Sequence, residues 1–329
     1  MQTAVIGGGA WGTAIATHLS RKGHQVLLWV YEPELCQIIT QTRENSYYLP
    51  GIQLPDTINV THTLGDVLSC HDIIVATPSF ALRSTLAPMA GRMRDKHVLI
   101  LAKGLETETL LRMSEVATQL LGQETRIATL SGPSFAKEVA DEVFTAVVVA
   151  SRIQAVAKHF QELIHNDRLR VYTSDDVLGV ELGGALKNVM AIGAGIIEGL
   201  HLGSNTQAAY ITRALAEIKR LGKALGARET TFMGLSGIGD LVLTCTGPLS
   251  RNRMFGIELA RGRKAEEILR SQKAVVEGYY TVDAAYRLST SLTVEMPITE
   301  QLYQIIYQGK HVGRSLEEIT RRVLKEEDV

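Results

Sequence analysis

The chain of 329 residues has only three cysteines, Cys36, Cys70 and Cys245, and no Cys-x-x-Cys pair. An odd number of widely spaced thiols argues against a disulfide framework and a structural zinc site and fits a reducing cytosol. Charge of one sign is equally scarce, since 34 basic residues against 35 acidic ones leave a formal net charge of -1. No global basic field exists to hold nucleic acid or an anionic membrane, which leaves room only for a local basic site for a small anion. Long hydrophobic runs are missing as well. The longest uncharged apolar stretches, residues 143–150 and 189–197, are about half of what a bilayer span needs. The opening residues run straight into a strand-like segment with no charged leader, so a cytoplasmic protein is expected, with neither nucleic acid nor membrane as partner. Histidines such as His62 and His201 lack ligand spacing and no catalytic triad is apparent, so no metal is expected.

At about 100–200 residues per domain, the length predicts two domains. Residues 4–6, 25–30, 73–77, 97–102, 126–130 and 145–150 read as strands, and 10–21 and 33–42 as helices, with Gly23 where a helix C-cap glycine belongs. Most of the strand-like runs are continuously apolar, the pattern of strands buried on both faces of a parallel sheet. Strand–helix alternation predicts an α/β fold with a Rossmann-type doubly wound sheet. Near residues 174–180 the pattern changes. Segments 176–199, 205–225, 254–261, 265–269, 282–290, 298–307 and 315–325 read as helices, which predicts an all-α C-terminal domain. The expected division is 1–176, a dinucleotide-binding domain, and 177–329, a helical substrate-binding domain.

Gly7-Gly8-Gly9-Ala10-Trp11-Gly12 follows a strand directly and opens a helix, and a second strand ends at Trp29-Val30-Tyr31-Glu32. In that context the glycines read as a dinucleotide phosphate loop. Gly7 permits the tight turn, Gly9 leaves room for the pyrophosphate, and Gly12 allows close helix–strand packing. Free amides and the helix dipole then favour the anion. Glu32 is either the acid that bonds a ribose 2′-hydroxyl of NAD or a first-turn acid of the next helix. Arg43 is the one cation considered for a 2′-phosphate, and the choice between NAD and NADP stays open.

Further candidates follow strands or sit on helices. Lys103 ends one strand and is followed by Gly104; Ser131-Gly132-Pro133-Ser134-Phe135-Ala136 follows another. Ligands of open α/β sheets bind beyond these carboxyl ends, although a surface lysine and a plain turn explain the same residues. Lys187 is more telling: Gly183, Gly184, Met190 and Ala191 surround it at helical spacing, and none offers an ion pair. Glycines inside a helix cost roughly 1 kcal/mol each against alanine, so close packing must compensate. Gly234-Leu235-Ser236-Gly237-Ile238-Gly239-Asp240 reads as a flexible approach to one carboxylate. Ser250-Arg251-Asn252-Arg253 suits a phosphate and reads equally as a helix N-cap followed by solvated arginines, two readings that are compatible.

Together with Lys103-Gly104-Leu105-Glu106, Leu186-Lys187-Asn188, Gly237-Ile238-Gly239-Asp240-Leu241 and Val275-Val276-Glu277-Gly278, these motifs resemble, in order and along nearly the whole chain, the bacterial NAD(P)-dependent glycerol-3-phosphate dehydrogenases. The resemblance implies reversible hydride transfer between NAD(P)H and dihydroxyacetone phosphate, supplying glycerol 3-phosphate for phospholipid synthesis, with NADPH the expected reductant. It implies Lys187 as the catalytic acid/base. Lys103, Gly132, Ser134, Asp240, Ser250, Arg251 and Asn252 would join it in binding substrate. Gly7, Gly9, Ala10, Trp11, Gly12, Tyr31, Lys103, Ala136, Arg251, Val275 and Glu277 would border the cofactor. A homodimer is expected from the family and from the prevalence of symmetric oligomers. Ala10 stands where many members have Ser, and Tyr31 where a basic or imidazole residue is common. Two rivals remain at this stage: a two-domain dehydrogenase for a carboxylate or acyl substrate, and a nicotinamide-sensing protein without turnover.

Overall fold

The structure, a computed structural model, describes residues 2–271, 275–321, 323, 326 and 327. Two compact units divide the chain. One comprises Met1–Lys103 and Arg112–Glu181, the other Gly104–Leu111 and Leu182–Val329.

The first unit is built on strands β1 (Gln2–Ile6), β2 (Gln25–Trp29), β3 (Ile58–Thr61), β4 (Asp72–Val75), β5 (His97–Ile100), β6 (Arg126–Ser131), β7 (Thr145–Ala150) and β8 (Leu169–Ser174). They form one sheet in the order β3-β2-β1-β4-β5-β6-β7-β8. The pairs from β3 to β6 are parallel, β7 runs against β6, and β8 is parallel to β7. The helices of this unit are α1 (Ala10–Arg21), α2 (Pro33–Thr42), α3 (Leu82–Leu86), α4 (Met113–Leu121), α5 (Ala136–Ala140) and α6 (Gln154–Ile164). Strand order grows one way from β1 to β3 and the other way from β4 to β6. Right-handed crossovers in opposite directions place helices on both faces, so the expected doubly wound Rossmann-type sheet is present. The reversal lies between β1 and β4, the switch point where such sheets bind ligands.

Two strands escaped the search for continuous apolar runs. β3, Ile-Asn-Val-Thr, is short and mixed in polarity, and the edge strand β8 alternates between buried Leu169 and Val171 and exposed Arg170 and Tyr172. Half-exposed strands show period two rather than a continuous run. β7, expected as one more strand of a parallel sheet, reverses direction against β6.

The second unit carries α7 (Val177–Gly199), α8 (Ser204–Leu225), α9 (Glu229–Phe232), α10 (Asp240–Thr246), α11 (Arg251–Ala260), α12 (Ala265–Ser271), α13 (Glu277–Ser291), α14 (Pro297–Gln308) and α15 (Val312–Thr320). The division between the units falls inside α7. The helix expected over 315–325 starts earlier, and Arg322, Leu324 and Lys325 lie outside the described residues. The expected flexible approach to Asp240 is instead ordered, with Leu235–Gly239 forming a π-helical turn that runs into α10. The 23 residues of α7 are long and apolar enough to cross a bilayer, a length the uncharged runs did not suggest because Lys187 interrupts them. Its most apolar window is wholly buried inside the protein, as in a core helix.

Glycines let neighbours reach the α7 backbone. A Cβ on Gly183 would stand 2.2 Å from the Ser236 carbonyl oxygen, and one on Gly195 would stand 1.9 Å from that of Arg253. This is the packing that offsets their helix-propensity cost.

Glu217 on α8 has its carboxylate buried against the start of α14, where it accepts hydrogen bonds from the amides of Ile298 (2.6 Å) and Thr299 (3.2 Å). Burial pushes this carboxyl from 4.5 up to about 7, and the amides offset only part of that rise. The folded state therefore keeps a proton that the unfolded chain releases. Stability from this group is complete below about 4.5 and is lost as pH rises toward 7. Glu217→Gln is expected to flatten the fall in urea midpoint across that window. An unchanged slope would exclude Glu217 as its source.

Candidate active site

In the first unit the phosphate loop is shaped by contacts at its glycines. Gly7 has φ +121°, and a Cβ there would stand 2.8 Å from the Ala76 carbonyl oxygen beyond β4; at Gly12 it would stand 1.9 Å from the Gly7 carbonyl oxygen. A Cβ on Gly9 would meet nothing within 4 Å, so this position faces open space. Gly9 is also the N-cap of α1, where no side chain caps the helix and the first turn carries no acid. Its amides and dipole are therefore available to an anion. Buried Asn45, which sequence reasoning missed, braces the loop by donating to the Gly8 carbonyl and to Thr13 Oγ1, both at 2.7 Å. Nothing in its local sequence signals this long-range contact.

Around the same carboxyl ends, Gly132 (φ +127°) turns the chain after β6. Its carbonyl accepts from Lys103 Nζ at 3.0 Å and from Ser134 Oγ at 2.9 Å. Three residues expected at the site are thereby brought together, with Ala136 just beyond at the start of α5. Trp11 Nε1, Thr77 Oγ1 and Ser131 Oγ are buried with no hydrogen-bond partner among the described residues. Such orphaned groups suit a polar dinucleotide lying across the strand ends. Thr77 was not singled out as a site residue, and Ser131 only as part of the segment 131–136, although each follows or ends a strand.

Tyr31 is exposed, with its ring edge-on to Trp29. Glu32 makes no side-chain cap to α2 and instead accepts from the Tyr48 hydroxyl at 3.0 Å. The cation considered at Arg43 is committed elsewhere: its guanidinium donates to the carbonyls of Ile58 (3.0 Å) and Pro55.

In the second unit, Lys187 donates from Nζ to Asp240 Oδ1. The aspartate side chain is fully buried and the lysine side chain only 10% exposed. Thr244 Oγ1 donates to the Asp240 carbonyl at 2.6 Å. Cys245 beside this pair has its thiol pushed up to about 12, chiefly by burial, so it is no thiolate nucleophile near neutrality.

Ser250 caps α11, its Oγ accepting from the Arg253 amide at 3.2 Å, and Arg253 itself is tied to Glu198 by an Nε–Oε2 bond of 2.6 Å. The cap reading of this stretch thus holds at Ser250. Arg251, exposed in the first turn, has the Glu277 carboxylate as its neighbouring charge. Asn252 donates to Asn188 Oδ1 (2.9 Å) and accepts from the Gly278 amide (2.8 Å), stitching α7, α11 and α13 together. Val275 is half-buried just before α13. A shallow concavity of about 400 Å³, lined by Arg220, Lys223, Ala224, Thr293, Val294 and Glu295, gathers none of these residues.

Family models described as the N-terminus and the C-terminus of NAD-dependent glycerol-3-phosphate dehydrogenase match residues 2–157 and 176–317. The chain belongs to that family. It is 48% identical to the NAD(P)+ glycerol-3-phosphate dehydrogenase of Citrifermentans bemidjiense over 99% of this chain and 98% of that protein. The Geobacter sulfurreducens enzyme is also 48% identical, over 98% of each chain. The crystal structure of glycerol-3-phosphate dehydrogenase from Coxiella burnetii, 38% identical, superposes with a TM-score of 0.94 over 98% of this chain and 99% of that one. The glycerol-3-phosphate dehydrogenase family uses NAD or NADP.

Removing one member of a buried ion pair strands the other charge, whereas replacing both by apolar groups is often tolerated. Lys187→Met is expected to cost about 3–5 kcal/mol in urea unfolding, and the double variant Lys187→Met/Asp240→Leu to recover much of it. Equal losses in the single and double variants would contradict coupling between the two charges.

Proposed function

We propose that the chain catalyses the NAD(P)-dependent interconversion of sn-glycerol 3-phosphate and dihydroxyacetone phosphate, supplying glycerol 3-phosphate for phospholipid synthesis. The observation that carries this reading is the end-to-end similarity to glycerol-3-phosphate dehydrogenases across both family regions. We place it in the cytoplasm, acting as a homodimer.

NAD(P)H, when bound, supplies hydride to the carbonyl carbon. Gly7, Gly9 and Gly12 would leave room for its pyrophosphate at the N-terminus of α1, and Ala10, Trp11, Tyr31, Ala136, Val275 and Glu277 would border it. Lys103, Gly132 and Ser134 position substrate. Arg251 at the start of α11 receives the phosphate, with helix dipole and guanidinium acting in the same sense. Lys187 donates a proton to the developing alkoxide and takes it back in the oxidative direction. Asp240 holds the lysine amine in place, while Ser250 and Asn252 fix the first turn of α11. Anchoring the phosphate orients the carbonyl, so remote binding energy serves the chemical step.

Loss of nicotinamide absorbance with dihydroxyacetone phosphate, and none with a 2-oxo acid of similar size, is the expected outcome. The reverse preference would overturn the substrate assignment. Lys187→Ala should lower turnover by about 10²–10⁴-fold with cofactor binding retained, and near-normal turnover would remove it from the chemistry. Arg251→Ala should raise the Michaelis constant for dihydroxyacetone phosphate. An unchanged constant would remove it from phosphate binding.

A further inference from the structure

Beyond the dehydrogenase machinery, three histidines converge on one carboxylate at the opposite ends of the strands. Parallel register sets Asp72, the first residue of β4, beside His97, the first of β5. His71 precedes Asp72 in the chain, and α6 brings His159. One atom, Asp72 Oδ1, lies 2.8 Å from His159 Nε2, 3.1 Å from His97 Nδ1 and 3.5 Å from His71 Nδ1. The rings crowd together, with centroids 4.3 Å apart for His97–His159 and 4.7 Å for His71–His97.

Three donors are more than the lone pairs of one carboxylate oxygen accommodate well. A cation resolves the crowding, because it accepts lone pairs from all four groups at once. Zinc ligands at about 2.0–2.2 Å in a tetrahedron stand about 3.3 Å from one another, and the three oxygen–nitrogen separations bracket that value. His71, Asp72 and His97 each offer a ligand atom within 4.8 Å of the others and close by side-chain rotation, whereas His159, which reaches Asp72 Oδ1 at 2.8 Å, lies outside that group of three and has to swing further to complete the set. The carboxylate is buried at 7% exposure, whereas His71 at 48% and His159 at 36% keep an entry path open. Two cations stand nearby: Lys96, whose Nζ donates to the Cys70 carbonyl at 2.6 Å, and Arg126, whose Nη1 lies 3.4 Å from His97 Nε2. The Arg126 side chain is 44% exposed and lies 4.0 Å from Asp95 Oδ1, toward which it can turn when His97 binds through Nδ1.

We infer that His71, Asp72, His97 and His159 form a structural site for a divalent transition ion of the zinc class. Three imidazoles and one carboxylate match that class of ion rather than calcium or magnesium, which take oxygen sets. The ion would cross-link β4, β5 and α6 at the amino ends of the strands, away from the phosphate loop.

The full chain, stripped with a chelator, is titrated with zinc against a chromophoric competitor. One ion per chain is expected, with a thermal midpoint that rises with zinc. Cobalt in its place should give visible bands of tetrahedral nitrogen–oxygen coordination. His97→Gln and His71→Gln should each weaken zinc binding by at least about tenfold and leave turnover unchanged. If His97→Gln does not fold, the half-exposed His71 still carries the test. Absence of stoichiometric binding, or undiminished affinity in the folded variants, would overturn the site.

Discussion

A long apolar helix has to let its neighbours come close to its backbone, and in α7 that requirement organises the second unit. Because Gly183 has no Cβ, the Ser236 carbonyl and its π-helical turn rest directly on the helix. Asp240 follows that turn immediately, so its carboxylate meets Lys187, one turn further along α7. Two turns beyond, Gly195 admits the Arg253 carbonyl and Gly256 of α11 approaches Ile192 equally closely. The docked α11 presents Arg251 at its first turn and joins Asn252 to Asn188. Placement of the candidate acid, its carboxylate and the arginine proposed to bind an anion thus depends on small residues in one helix.

Buried carboxylates are held in a shared manner. Glu217 accepts amides at the start of α14, and Glu181 accepts the Ser114 amide at 2.8 Å at the start of α4 together with Arg112 Nη1 at 2.7 Å. A helix start offers unsatisfied donors and positive potential, which offset part of the desolvation that raises both carboxyls. Asp240 instead relies on a lysine. A lysine can gain and lose a proton where a backbone amide cannot, so this pair alone among the three suits proton transfer.

The phosphate loop and α1 were legible because their determinants are local: a strand, glycines at fixed offsets and an amphipathic helix. Strands buried on both faces announced themselves as apolar runs. β3 and β8 did not, since one is brief and mixed and the other half-exposed. The second-unit helices were read nearly in register where apolar periodicity was long. Short α9 and α10 were hidden among glycines, whose low propensity suggested flexibility until packing on α7 was taken into account.

From the sequence alone came the candidate cofactor loop, the α/β-then-helical order of the chain and the residue types available for its chemistry, since each follows from composition or short-range spacing, and the family through the resemblance of its motifs. Only the tertiary structure decided which of those groups were already engaged. It paired Lys187 with Asp240, turned Ser250 into a cap, tied Arg253 to Glu198 and committed Arg43 to carbonyls of the Pro55–Ile58 stretch. It also set Asp72 beside His97 with two further imidazoles, a cluster invisible to linear ligand spacing. Side-chain partners are chosen by sheet register and helix docking, which join residues far apart in the chain, and no local pattern carries that information.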